Sequence, residues 1–207
     1  MSEALPDPLF VTFEGPDGSG KTTQASRLAE RLRELGRAVV LTREPGGGGP
    51  VAESVRNLLL HGAEMAPETE LLLFFAARAE HVASLIRPAL AAGKIVICDR
   101  YTDSSLAYQG AGLGVDPALI RALHAIATGD LWPDVTILID LPPEDGLARQ
   151  ADRNRMEERG LEFATRVRNG FLRLAEAEPN RYRVVDARGS VGQVADRVWR
   201  AFSGMPK

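Results

Sequence analysis

The sequence predicts an α/β fold in which a five-stranded parallel sheet is covered by helices on both faces. Two observations favour it. Five short runs rich in Val, Ile and Leu are almost unbroken by polar residues, as in strands that are buried on both faces. Stretches with helical periodicity separate these runs, which is the alternation typical of α/β proteins. Ligands of such sheets bind at the carboxyl ends of the strands.

The elements follow in order along the chain. A strand over 9–14 precedes a helix that ends near Gly36, with an apolar face formed by Ala25, Leu28, Ala29, Leu32 and Leu35. Further strands are predicted at 38–42, 95–98, 135–139 and 182–185. Further helices are predicted near 50–61, 67–92, 103–109, 116–129, 143–152, 161–178 and 190–203. The Gly-rich segment 44–50 and the charged segment 149–160 are expected to be mobile.

Composition narrows the class of protein. At 207 residues the chain is expected to form one domain over 1–207. The formal net charge of −3 does not favour nucleic acid as a partner, and no apolar run has the length of about 20 residues that a membrane span needs. The one cysteine, Cys98, lies in an apolar run and is predicted to be a core residue. These features, with no signal segment at the N-terminus, predict a cytoplasmic enzyme.

One segment carries most of the functional information. Residues 15–22 fit the pattern G-x-x-x-x-G-K-[ST], which forms a loop that holds nucleotide phosphates with backbone N–H groups. Lys21 is expected to reach the β- and γ-phosphates of ATP, and the Thr22 hydroxyl to ligate Mg²⁺. We call this segment the phosphate loop. Its predicted ATP-binding residues, with the next residue of the helix, are Gly15, Pro16, Asp17, Gly18, Ser19, Gly20, Lys21, Thr22 and Thr23.

Two further groups of residues suggest what the nucleotide is used for. Asp99 and Arg100 end the third strand, where the acid could hold Mg²⁺ and the guanidinium could clamp phosphate oxygens; a strand-end salt bridge is the alternative. Phe74 and Arg78 share a helix face, so that one could stack on a flat base and the other bond its edge. From the pattern alone, Phe74 and Phe75 are more simply explained as core residues.

The chain resembles the thymidylate kinase family over nearly its whole length. The matching segments include FEGPDGSGKTTQ, TREPGG, ELLLFFAARAEH and DRYTDSSLAYQG. The resemblance implies a three-layer P-loop nucleoside monophosphate kinase fold with a lid near 149–160. It also implies transfer of the γ-phosphoryl group of ATP to dTMP, Mg²⁺ as the cofactor, and a homodimer for which 69–92 is a candidate face.

The resemblance also implies roles for individual residues. Arg100 would bridge the dTMP phosphate and the transferred group, Asp17 would contact the sugar 3′-hydroxyl or metal-bound water, and Asp99 would help to hold Mg²⁺. Around the nucleoside, Phe74 would stack on thymine and Arg78 would bond its edge. The remaining assignments are Ser105 and Gln109 facing the pyrimidine, Tyr108 under the deoxyribose, Arg149 against adenine, and Arg153, with Arg155, in the lid.

Two positions depart from common patterns of the family. Some members carry an arginine in the phosphate loop where this chain has Gly18, so the arginine-rich segment 149–159 is expected to supply the catalytic arginine instead. Gly48 stands where the family often has threonine. Two other functions stay open on the residues: a kinase for a different nucleoside or nucleotide, and a nucleotide-dependent switch, although the Asn-Lys-x-Asp segment that reads guanine is absent from the sequence.

Overall fold

The computed structural model describes residues 8–149 and 160–204, which form a five-stranded parallel sheet flanked by helices. The strands are β1 (Leu9–Glu14), β2 (Val39–Arg43), β3 (Ile95–Asp99), β4 (Val135–Asp140) and β5 (Tyr182–Asp186). Their order across the sheet is β2-β3-β1-β4-β5, and every neighbouring pair is parallel. The predicted fold class is confirmed, and β1 lies at the centre of the sheet.

The helices connect the strands. They are α1 (Lys21–Glu34), α2 (Pro50–His61), α3 (Pro67–His81), α4 (Arg87–Ala91), α5 (Thr102–Ser105), α6 (Pro117–Thr128), α7 (Pro143–Ala148), α8 (Gly160–Ala177) and α9 (Val191–Ser203). The stretch predicted as one helix over 67–92 is interrupted by a π-helical segment, Val82–Ile86, and a second π-helical segment, Leu106–Gly112, follows α5. No helix of the described residues is long and apolar enough to cross a membrane.

The two faces of β1 belong to different parts of the core, because alternate side chains of a strand point to opposite faces of the sheet. Leu9, Val11 and Phe13 pack in the cluster that contains the apolar residues of α1 and α9. Phe10 packs on the other face against Tyr101 and the residues around Ile86. Burial on both faces fixes β1, and with it the position of the phosphate loop at the carboxyl end of the sheet.

Three expectations need correction. Leu35 does not extend the apolar face of α1: it is the C-cap residue and is 58% exposed. β2 is an edge strand and is only partly covered, so that Leu41 is 37% exposed. Segment 44–50 is held in place by hydrogen bonds and close packing, with Glu44 buried. The predicted lid lies mostly outside the described residues.

Candidate active site

The phosphate loop joins the end of β1 to the start of α1, and its backbone requires glycine. Gly20, the N-cap residue of α1, has a φ of 90°, and Gly18 has a φ of 76°. Both values lie in the left-handed region that residues with a Cβ rarely adopt. A Cβ on Gly18 would also lie 2.3 Å from the carbonyl oxygen of Gly146 in α7. The loop therefore has no room for a side chain at Gly18.

Lys21 is the first residue of α1 and its side chain is buried beneath the loop. Its Nζ donates to the carbonyl oxygen of Pro16 at 2.8 Å, so the side chain folds back along the loop. Burial, followed by the charge of Arg100, lowers the pKa of Lys21 to about 8. Phosphate oxygens at this place would stabilise the protonated form, because an adjacent opposite charge favours ionisation.

Thr22 and Asp99 form the part of the site that fits a cation. The Thr22 hydroxyl contacts Asp99 Oδ2, and the other carboxylate oxygen, Oδ1, is buried without a hydrogen-bond partner among residues 8–149 and 160–204. A buried carboxylate oxygen is costly to leave unpaired. Mg²⁺ is usually held by one or two protein oxygens, with phosphate oxygens and water completing the shell. The two side chains have the chemistry that this ion needs.

Arg100 adopts an unusual backbone conformation and forms the centre of a charged network. Its φ of 70° lies in the left-handed region, and Arg100 contacts Asp17 through an ion pair. The Tyr108 hydroxyl donates to the other oxygen of Asp17 at 2.8 Å, and the Arg100 guanidinium lies 5.1 Å from the Tyr108 ring centre. Burial raises the pKa of Asp17, but the charges of Arg100 and Lys21 outweigh it, so the net shift is downward.

Glu14 is not among the predicted site residues, but its side chain stabilises the backbone that follows Arg100. This last residue of β1 is fully buried. Its Oε1 accepts from the backbone N–H of Tyr101 at 2.7 Å, and its Oε2 accepts from the Ser104 hydroxyl at 2.6 Å. Ser104 Oγ is in turn 3.3 Å from Arg100 Nη1. Glu14 therefore holds Tyr101 and Ser104, which lie one and four residues after Arg100, and helps to fix the orientation of Arg100. Burial and the charge of Asp103 raise the pKa of Glu14 to about 8.

A cavity of about 360 Å³ opens at the carboxyl end of the sheet. Every side chain that the sequence analysis expects to contact dTMP lies on its wall, together with the two expected Mg²⁺ ligands. Four arginines and three acids line it, so that a phosphate-bearing ligand would meet several cationic side chains. Its walls are formed by Asp17, Thr22, Arg43, Glu44, Pro45, Arg56, Leu60, Phe74, Arg78, Asp99, Arg100, Ser104, Ser105, Tyr108 and Gln109.

The two adjacent phenylalanines of α3 have different environments. Phe75 is buried among Leu71, Leu106 and Ile120, which confirms the core interpretation for this residue. Phe74 is only half-buried and lines the cavity. Arg78, one turn later on α3, is buried and also lines the cavity. A flat aromatic face and a guanidinium fork thus border the same space.

Some predicted site residues lie outside the cavity wall. Arg149 is exposed just after α7, the helix whose Gly146 touches the phosphate loop, so it lies on that side of the site. Thr23 is exposed on the first turn of α1. The predicted lid residues Arg153 and Arg155 lie outside the described residues.

Other residues of the cavity were not predicted. Arg56 of α2 donates to the carbonyl oxygen of Pro45 at 2.6 Å and lines the cavity. Glu70, which was not predicted either, accepts at 3.1 Å from the predicted site residue Gln109. A single helical arginine such as Arg56 has no local sequence signal, because only the fold brings it to the site.

Comparisons with known proteins agree with this site. A family model described as Thymidylate kinase matches residues 13–198. A thymidylate kinase of Thermomicrobium roseum is 55% identical over 202 residues, covering 96% of both chains. One from Synechococcus sp. (strain JA-2-3B'a(2-13)) is 54% identical over 191 residues, covering 92% of each. The crystal structure of thymidylate kinase from Ehrlichia chaffeensis has a TM-score of 0.80 at 41% identity, covering 96% of this chain and all of that one.

The matched range, residues 13–198, spans nearly the whole fold and contains the phosphate loop, Arg100 and the residues that line the cavity. A family match of this length, with relatives more than half identical, identifies the chain as an enzyme of the phosphate-loop kinase type. The chain belongs to the thymidylate kinase family.

Proposed function

We propose that the protein transfers the γ-phosphoryl group of ATP to dTMP and releases dTDP and ADP. The observation that supports this most strongly is the composition of the cavity wall. Thr22, Asp99 and Arg100 suit phosphates and a cation, whereas Phe74 and Arg78 suit a flat base with polar edges. Because the phosphate-binding and the base-binding residues line one cavity, the cavity fits a nucleoside monophosphate. The phosphate of that nucleotide would lie next to the γ-phosphate of ATP.

In this proposal the protein aligns the two phosphates and neutralises their charge. Lys21 binds the β- and γ-phosphate oxygens, while Arg100 bridges the dTMP phosphate and the transferred group. No general base is needed, because the second pKa of a phosphate monoester is about 6 and the attacking oxygen is largely ionised near neutral pH. Alignment and charge neutralisation are the main contributions of a protein to phosphoryl transfer.

Mg²⁺ is the cofactor that the kinase chemistry calls for. Thr22 and Asp99 are the residues that would hold it, and Oδ1 of Asp99, which has no hydrogen-bond partner in the described part of the chain, supports this assignment. When bound with ATP, the ion neutralises charge on the phosphate oxygens. Asp17, which is ionised beside Arg100, would face either the sugar hydroxyl or a metal-bound water molecule.

The nucleoside end of the cavity is proposed to select thymine and deoxyribose. Phe74 stacks on the base, Arg78 bonds its edge, and Ser105 and Gln109 complete the wall. Tyr108 lies beside Asp17 through a 2.8 Å hydrogen bond, and in this position it leaves little room for a 2′-hydroxyl. Size exclusion by this ring would favour deoxyribose over ribose.

Replacing Phe74 with Ala should raise the Michaelis constant for dTMP while leaving that for ATP nearly unchanged. Stacking of a base on an aromatic ring is worth about 1–3 kcal/mol, which corresponds to roughly five- to a hundredfold in affinity. Steady-state kinetics with each substrate varied in turn provides the measurement. Phe202→Ala is the control, because this ring is buried in α9 away from the cavity and its loss should lower only stability. If Phe74→Ala raised the Michaelis constants for dTMP and ATP by the same factor, the stacking role would be contradicted.

The lid segment is proposed to supply a further cation to the transferred phosphate. Gly18 cannot carry a side chain, so an arginine from the loop itself is excluded in this chain. Replacing Arg153 with Ala should lower the turnover number by about a hundredfold, below the 10³–10⁵ of a sole catalytic arginine, because Arg155 can substitute in part.

Single-turnover transfer in Arg153→Ala, Arg155→Ala and the double variant provides the measurement for the lid. Affinity for dTMP without ATP should stay unchanged, because the lid is proposed to meet the phosphate only when it closes over both substrates. Parent rates in all three variants would show that the segment takes no part in transfer.

A homodimer is proposed to form through α3. Leu72 and Ala76 are exposed one turn apart on one face of α3, Leu72 is 55% exposed, and the exposed Ala83 lies in the π-helical segment that follows. Small and apolar residues on one face allow two helices to pack closely.

We further propose that the chain forms one domain and that the enzyme is cytoplasmic, as suits an enzyme that acts on free nucleotides.

Replacing Leu72 with Arg should convert the dimer into a folded monomer, because two buried guanidinium groups would then face each other across the symmetry axis. Light scattering after gel filtration gives the mass. Leu35→Arg is the matched control, since Leu35 has a similar exposure of 58% at the end of α1. A dimer that survives Leu72→Arg, or a monomeric parent, would contradict the proposed face.

A panel of nucleoside monophosphates tests the acceptor assignment. With ATP as donor, dTMP should give the highest kcat/KM among dTMP, dUMP, dCMP, dGMP, dAMP and UMP. A higher kcat/KM for a purine or for a ribonucleotide would mean that the cavity wall has been assigned to the wrong base or sugar.

A further inference from the structure

A chain of hydrogen bonds, most of them buried, lies behind the proposed thymine site and ends at Arg78. Arg78 Nε donates to Glu44 Oε2 at 2.7 Å, and the second oxygen, Oε1, accepts from His81 Nδ1 at 3.0 Å. His81 Nε2 lies 2.8 Å from the Thr42 hydroxyl. The chain therefore runs from the end of β2 through one histidine and one carboxylate to the guanidinium at the cavity.

Three of the four members of this chain are buried, and the fourth, Thr42, is half-buried. The side chain of His81 is 0% exposed, and those of Arg78 and Glu44 are 2% and 3% exposed. A buried ion pair is stabilising only when its geometry is good and its remaining lone pairs are satisfied. Arg78 satisfies one oxygen of Glu44, and His81 satisfies the other. His81 thereby fixes the plane of the carboxylate on which Arg78 rests.

The direction of each bond follows from the chemistry of the groups. A carboxylate can only accept a hydrogen bond, so Nδ1 of His81 is the donor in the bond to Glu44. In the neutral ring Nε2 is then the acceptor, and the Thr42 hydroxyl donates to it. Because Nε of Arg78 is used by Glu44, the other two nitrogens point to Ser105 Oγ, each at 3.3 Å. These are the donors that lie on the side of the cavity.

The loop that carries Glu44 is packed directly on His81. A Cβ on Gly48 would lie 2.5 Å from the Cα of His81, and one on Gly47 would lie 2.5 Å from the Thr42 hydroxyl oxygen. The Ser84 hydroxyl donates to the Gly48 carbonyl oxygen at 2.9 Å. Glycine at both positions lets the loop approach α3 closely enough for Glu44 to reach both partners. This packing gives Gly48, one of the two departures from the family pattern, a structural reason.

We propose that His81 is a positioning residue for the base-binding site: it fixes Glu44 and, through Glu44, aims the guanidinium of Arg78 at the edge of the thymine. His81 itself does not line the cavity. The proposal rests on the proposed function, in that the ligand it helps to select is dTMP. It predicts that changes at His81 alter the affinity for dTMP and leave the ATP side of the site unchanged.

Two amide variants separate the two hydrogen bonds of His81. The side-chain amide of His81→Asn falls near the position of Nδ1 and can keep the bond to Glu44. The longer His81→Gln places its amide near Nε2 and keeps only the bond to Thr42. Loss of one buried bond to a charged group corresponds to about a tenfold effect on binding, so His81→Gln should raise the Kd and KM for dTMP by about tenfold. His81→Asn loses only the bond to Thr42, so it should raise the Kd and KM for dTMP by about two- to fivefold, and the KM for ATP and the kcat should be near parent values in both variants.

The experiment combines calorimetric binding of dTMP, steady-state kinetics and thermal unfolding. His124→Asn is the matched control, because His124 is equally buried, bonds Thr102 and lies outside the cavity wall. It should lower the Tm without changing the Kd for dTMP. A larger rise in Kd for His81→Gln than for His81→Asn, with an unchanged KM for ATP, supports the proposal. Parent-like Kd values in both His81 variants, or equal losses for dTMP and ATP, overturn it.

If His81→Gln does not fold, a second variant with a smaller change, Thr42→Val, tests the same proposal. Thr42→Val removes the hydroxyl at the far end of the chain and preserves side-chain shape, so a rise of about two- to fivefold in the Kd for dTMP alone is expected. An unchanged Kd overturns the proposal. The parent enzyme is assayed first: if it does not phosphorylate dTMP, the proposed function fails and this inference with it, whereas an active parent with unaffected variants refutes the inference alone.

Discussion

Replacing Lys21 with Ala should reduce phosphoryl transfer from ATP to dTMP by about a thousandfold, the upper end of what removing one donor to the transition state costs. Lys21 is the first residue of α1, and its Nζ lies 2.8 Å from the Pro16 carbonyl oxygen within the phosphate loop. Its removal takes away a cation where charge builds up during transfer. The fold should be kept, because burial lowers the pKa of Lys21 to about 8 and the charged form is therefore costly in the free protein.

Single-turnover transfer and thermal unfolding measure the two effects of Lys21→Ala separately. Lys94→Ala is the control, because Lys94 is exposed just before β3, and its loss should change neither rate nor stability. A folded Lys21→Ala variant that transfers phosphate at a rate near that of the parent would show that the phosphate loop does not bind the donor as proposed.

Replacing Arg100 with Ala should lower the turnover number by about 10³-fold or more, as expected for an arginine that contacts the transferred group. The structure supports a dedicated position for this side chain. Its left-handed backbone, its ion pair with Asp17 and the support from Glu14 through Ser104 all fix the guanidinium at the cavity. Strained backbone of this kind is concentrated at functional sites.

Two further variants separate the roles of charge and geometry at Arg100. Arg100→Lys keeps the charge without the planar fork, so it should recover only a small part of the rate. Arg87→Ala loses hydrogen bonds to the carbonyl oxygens of Thr128 and Gly129 outside the cavity wall, and should lower stability without affecting kcat. If Arg100→Ala loses stability but keeps its turnover number, the residue forms only the strand-end salt bridge that the sequence left open.

Much of the fold could be predicted because its signals are local. Each strand is a short apolar run, and the phosphate loop is a contiguous pattern that requires glycine at Gly18 and Gly20. The errors also have local causes. Leu35 continues the helical spacing, but the chain turns at Gly36 before that residue can be covered. The glycines of segment 44–50 indicate flexibility in isolation, whereas here they allow close packing on α3.

The supporting residues of the site could not be predicted because their roles depend on long-range contacts. Glu14 and Tyr101 are far apart in sequence and meet only when β1 and β3 pair. In the sequence, His81 has no feature that distinguishes it from other polar residues of a helix. Its hydrogen bond to Glu44 forms only because the loop after β2 packs against α3. The pattern could place Phe74 and Phe75 on α3, but only the packing of neighbouring elements distinguishes the half-buried ring from the buried one.

The most direct test of the account is the stoichiometry of nucleotide products, followed by ³¹P NMR with ATP in the presence and absence of dTMP. The account predicts that dTDP and ADP form in equal amounts, and that little ADP forms without dTMP because water is kept out of the site. Production of ADP without dTDP, at the same rate whether or not dTMP is present, would identify an ATPase or a nucleotide-dependent switch and would contradict the proposed kinase activity.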